Sequence, residues 1–74
     1  MITLEQAESR FCEIIASCGE SIKITKVWEI QLNDPIYVVM CIDKDGNKIY
    51  PGERFPSIRK SDGTLVNWEE PCPA

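Results

Sequence analysis

The sequence contains no histidine, no pair of cysteines at Cys-x-x-Cys spacing, and no apolar run approaching the roughly 20 residues that cross a bilayer. Each absence removes a class of function. Without histidine the chain lacks the usual general base near neutral pH and the commonest nitrogen ligand for zinc. A cysteine nucleophile would also lack its ordinary partner base, so no catalytic, cofactor-binding or metal-binding residue is expected. Positive charge is scarce as well: 8 Lys+Arg stand against 12 Asp+Glu, giving a net charge of −4. The cations are scattered along the chain, with only Arg59 and Lys60 contiguous. Phosphate backbones are bound by a basic face, so nucleic acid is not an expected ligand. An acidic chain suits a basic protein partner, or solubility alone.

The N-terminus, Met1 to Glu5, lacks the basic and apolar regions of a secretory signal, which points to a cytoplasmic protein with no membrane role. Cys12, Cys18, Cys41 and Cys72 are then expected as reduced thiols. Two disulfides are the alternative if a leader has been removed.

What is present reads as one small globular domain over residues 1–74. Apolar residues make up 43% of the chain and charged residues 27%, ordinary proportions for a packed fold. Thr3 and Gln6 form a capping box, and Ile2 can staple onto Ala7. Leu4, Ala7, Phe11, Ile14, Ile15 and Cys18 then recur at helical period, and Gly19 supplies a stop. This predicts a helix over about 4–18. Cys12 lies off the stripe, so Cys12 and Cys18 cannot bridge within an intact helix.

The remainder predicts strands over about 22–32, 36–43, 47–50, 55–60 and 64–68, followed by a tail over 69–74. Ile22, Ile24, Trp28, Ile30 and Leu32 alternate with other residues at period two. Lys26 interrupts that inward set, which suggests a β-bulge that turns Val27 inward; a functional site there is the alternative. By its register with the isoleucines, Trp28 reads as a core anchor. Ile36 to Ile42 is apolar on both faces, as in a central strand. Asp45-Gly46 signals a tight hairpin. The neighbouring carboxylates only superficially resemble a calcium loop, because the glycine comes too early and Arg54 stands where the closing glutamate belongs.

These elements give an α+β fold, one N-terminal helix packed on a four- or five-stranded, mainly antiparallel β-meander. One amphipathic helix covers one sheet face. The second face of the central strand is therefore either an exposed strip that meets a partner or is covered by loops and tail. The loop Tyr50 to Pro56 adds a rigid turn, an opposite-charge pair and an aromatic ring on a scaffold. Glu53, Arg54 and Phe55, with Trp68 and the acidic Glu69 and Glu70 at the edge, are the candidate partner-binding residues.

The segment Phe55 to Val66 carries Pro56, Ile58, Lys60 and Gly63 in a Pro-x-Ile-x-Lys-x-x-Gly hairpin. With the helix and the Tyr37-to-Ile42 strand before it, this resembles the small helix-plus-meander immunity proteins of bacterial toxin systems. The resemblance implies a non-catalytic inhibitor that binds a cognate toxin. This chain is shorter than those proteins, and no toxin-contact residue carries over to it. A self-associating homodimer, paired through an edge strand or the second sheet face, is the other function the pattern allows.

Overall fold

The structure is a computed structural model and describes residues 1–68. Helix α1 spans Leu4–Ala16 and starts as the capping box requires: the Thr3 amide donates to Gln6 Oε1 at 2.8 Å, and the Gln6 amide donates to Thr3 Oγ1 at 3.2 Å. Ala7, Phe11 and Ile15, spaced by four, form its buried stripe, while Leu4 at the first turn stays largely exposed. The helix stops two residues before the predicted end. The Ser17 hydroxyl donates to the Ile14 carbonyl at 2.7 Å, the Cys18 amide turns back to the Ile15 carbonyl, and Gly19 takes φ +77°. Cys18 is consequently exposed outside the helix rather than on its buried stripe.

The strands are β1 (Lys23–Ile30), β2 (Ile36–Ile42), β3 (Lys48–Ile49), β4 (Ser57–Arg59) and β5 (Leu65–Val66). They form one antiparallel sheet in the order β1-β2-β4-β5, with β3 also paired to β2. The doubly apolar β2 is central, as its composition demands. Its odd-numbered residues Tyr37, Val39 and Cys41 join Phe11, Ile15, Ile49, Phe55 and Ile58 in the core beneath α1.

The β1–β2 register shifts between Ile24 and Lys26, so a bulge sits at Thr25, whose hydroxyl donates to the Met40 carbonyl at 3.0 Å. The extra residue reverses the alternation. Ile22 and Ile24 face the helix before it, and Val27 faces the helix after it. Trp28 pairs with Val38 and thus points to the opposite face, so it is not the core anchor its spacing suggested. An even-spaced pattern read straight through a bulge assigns the wrong face to everything beyond it.

The Asp45-Gly46 turn is wider than a two-residue hairpin. Cys41 pairs with Ile49 and Ile42 with Lys48, leaving 43–47 as the loop. Asp43 organises it, one carboxylate oxygen accepting from the amides of Asp45 and Asn47, each at 2.9 Å. The returning chain then leaves the sheet and rejoins it. From Cys41 to Tyr37 β2 takes four steps, whereas its partner takes nine from Ile49 to Ile58. Residues 50–56 are the excursion, and β4 returns to β2 instead of pairing with β3. Two layers result, and the molecule's smallest extent is 16 Å.

Candidate interaction face

Residues that sit opposite one another in an antiparallel pair share a face. Face assignment therefore follows from the registers. On the helix side the charges are matched: Lys60 Nζ lies 2.7 Å from Glu29 Oε1 and 5.9 Å from the Tyr37 ring. The Lys60 ammonium holds the Glu29 carboxyl below its ordinary range, and the carboxylate raises the lysine. Tyr37 donates its hydroxyl to the Ile2 carbonyl, and the Ile2 amide donates to the Lys60 carbonyl, fastening the N-terminus across β4. Arg10, on α1, donates to the Gly63 carbonyl and so ties the helix to the β4–β5 turn.

The helix-distal face is built differently. Ile36 and Val38 form its centre and are buried, at 4% and 0% exposure. Trp28, Ile30, Met40, Ile42 and Val66 surround them half-buried. Trp28, on the edge strand β1, lies directly across from Val38. The face is thus not the bare apolar strip that two-sided hydrophobicity suggests; its centre is closed and its margin half-open.

Lys23 pairs with Ile42, Lys26 with Met40, Lys48 with Ile42 and Arg59 with Ile36. Four of the eight cations therefore share the distal face, and among the described residues no strand places a carboxylate on it. Arg59 is neutralised from the flanking loops, 2.9 Å from Asp34 and 3.4 Å from Asp62. Lys23, Lys26 and Lys48 have no carboxylate partner among the described residues. The Lys26 ammonium instead lies 5.0 Å from the Trp28 ring centre, a cation–π arrangement. The acidic residues Glu5, Glu8 and Glu13 are exposed on α1, across the molecule. Reading the cations as scattered missed this segregation; the signal was the bulge, which places Lys26 on the same side as Lys23.

The loop candidates divide. Phe55 is only 7% exposed and belongs to the core, so its ring anchors the excursion instead of meeting a partner. Glu53 is exposed, but its carboxylate accepts from the Tyr50 amide at 3.0 Å and closes its own turn, with Gly52 at φ +82°. Arg54 is exposed, 2.9 Å from Glu20 and 5.6 Å from the Phe55 ring. That guanidinium holds the Glu20 carboxyl below its usual range. Trp68 is half-buried, while Glu69 and Glu70 lie outside the described residues. Of the four described candidates, Glu53 and Arg54 are thus exposed, Trp68 is half-buried and Phe55 is in the core.

Beside Glu20 lies a polar groove of about 400 Å³ lined by Gly19, Glu20, Ser21, Asp43, Lys44 and Asp45. The hydrogen bonds from the Asn47 and Asp45 amides hold the Asp43 carboxyl low, committing it to the turn. Among the described residues no group of three or more potential metal ligands gathers anywhere. Cys12, Cys18 and Cys41 are free thiols; burial pushes Cys41 up to about 11, which makes it an inert core residue. Cys72 lies outside the described residues. Among those residues no helix is long and apolar enough to cross a membrane. No known protein family, curated protein or solved structure matches the chain.

Proposed function

We propose that this chain is a small, non-catalytic protein-binding module of the inhibitor or immunity type, working in the cytoplasm and meeting its partner through the helix-distal sheet face. The half-open margin of Trp28, Ile30, Met40 and Ile42 around a closed apolar centre carries this reading. Aromatic and aliphatic side chains held partly exposed on a rigid sheet lose little entropy when a partner covers them. Arg54, exposed and 2.9 Å from Glu20, is a secondary contact in this reading.

The test uses the chain as bait in native lysate, beside Trp28→Ala and Leu65→Ala, the latter an exposed residue of β5. One stoichiometric partner kept by wild type and Leu65→Ala, but lost by a still-folded Trp28→Ala, is the expected result. Equal capture by Trp28→Ala removes the distal face from the reading. Self-association is the second reading, because among the described residues no strand pairs with the outer edge of the eight-residue β1. The lysines along that edge weigh against it, because pairing two copies there sets like charges beside one another. Sedimentation at tens of micromolar, roughly the range of weak interfaces, decides it: a monomer there excludes the dimer.

A further inference from the structure

We infer that the helix-distal face is matched to an acidic, extended protein segment added along the outer edge of β1, its carboxylates meeting Lys23 and Lys26 while its apolar side chains rest on Trp28 and Ile30. The inference deepens the protein-binding reading and rests on it. Charge complementarity carries it. In a chain of net charge −4, the three strand lysines without carboxylate partners among the described residues all face one way. Unmatched lysines on an acidic protein are not needed for solubility, and at half-open apolar margins they select partners of opposite sign.

The spacing fixes the segment's pattern. Beyond the bulge, Lys26, Trp28 and Ile30 face the distal side at every second residue. An added antiparallel strand sets its own alternate side chains beside them, so it reads apolar-x-apolar-x-acidic opposite Ile30, Trp28 and Lys26. The bulge turns the edge past Thr25 and brings Lys23 to the following acidic position. With Lys26 5.0 Å from the Trp28 ring centre, its ammonium is already oriented over the face. A single-stranded nucleic acid fits less well. Its bases need successive aromatic rings, and this margin offers Trp28 among aliphatic neighbours. Three unmatched lysines also supply few phosphate contacts against the repulsion of the acidic whole.

The experiment is an amide chemical-shift titration of the full chain with three probes. The first is a short capped peptide alternating threonine with two valines and then two glutamates. The second carries lysines in place of the glutamates, and the third is an oligothymidylate. The glutamate peptide is expected to move the amides of Lys23 to Ile30, with binding about tenfold or more weaker in a folded Lys23→Glu/Lys26→Glu variant. Equal shifts from the lysine peptide overturn the polarity but leave the interaction face standing. Silence with the glutamate peptide overturns the inference, and the capture experiment then judges the protein-binding reading separately. Stronger shifts from the oligothymidylate overturn it in favour of nucleic acid.

Discussion

The two faces of one sheet are built differently. Under α1 the apolar side chains are closed off, Glu29 and Lys60 neutralise one another, and the N-terminus is fastened down by Tyr37. On the other side the centre is closed, the margin is half-open, and Lys23, Lys26 and Lys48 stand without carboxylate partners among the described residues. The same strand β2 serves both. A domain this small holds its fold by only a few kcal/mol, so a face left partly open is a cost that the covered face must offset. Stability is thus concentrated under the helix, and the proposed recognition falls to the face that the helix does not reach.

The sharpest way to break this contrast is to truncate an equivalent large ring on each side. Phe11→Ala leaves a cavity among Ala7, Ile15 and the odd residues of β2, and is expected to cost about 3–5 kcal/mol, enough to unfold much of the population. Trp28→Ala, removing a half-buried ring, should cost well under half as much by urea denaturation. Equal losses would make the distal face a second core. Phe55→Ala separates structure from recognition within the loop: it should destabilise by about 3 kcal/mol, because the ring is buried, where a contact residue would leave the melting temperature in place.

A smaller effect is expected at the junction that ties α1 to the β4–β5 turn. Gly63 has φ +77°, and a Cβ there would lie 2.9 Å from Arg10 Nη1. Gly63→Ala should therefore cost about 1–2 kcal/mol through the left-handed backbone alone, with displacement of Arg10 adding to it.

Acid should act on the turns and ion pairs rather than on either apolar face. Glu20, Glu29, Asp43 and Asp62 all have carboxyls held below their ordinary range, by Arg54, by Lys60, and by the amides of Asn47 and Thr64. A depressed folded-state pKa contributes stability that is complete above the unfolded value and is lost as pH falls through the folded one. The melting temperature should accordingly fall between about pH 5 and about pH 2. At the other extreme Cys41, raised to about 11, favours the folded state fully only below its unfolded value, so stability declines as pH rises from there towards the folded pKa. A flat profile in acid would show that these hydrogen bonds do not persist in solution.

Much of the fold was legible because its signals are local. The Thr3–Gln6 capping box, the two-sided apolarity of Ile36 to Ile42 and the interruption at Lys26 each announce a specific backbone feature. The candidate site was less legible, because it depends on which residues end up on the same face. Lys23, Lys26 and Lys48 are unrelated in sequence until the bulge and the β2–β3 register align them. The same limitation applied to Phe55: an aromatic ring in a loop looks like a contact until tertiary packing turns it under the helix. The width of the 43–47 turn escaped for a different reason, since Asp43 captures two amides and competes with the two-residue turn that Asp45-Gly46 favours.

The most direct test of the division between faces is the rate at which each lysine of the free chain is acetylated by a water-soluble reagent, read residue by residue by mass spectrometry. Lys44, in an exposed loop, and Lys60, paired with Glu29, set the fast and slow references. Lys23, Lys26 and Lys48 are expected to react at the rate of Lys44. Protection of those three to the level of Lys60 would show that the distal face is already occupied in the free chain, contradicting its assignment as the surface that awaits a partner.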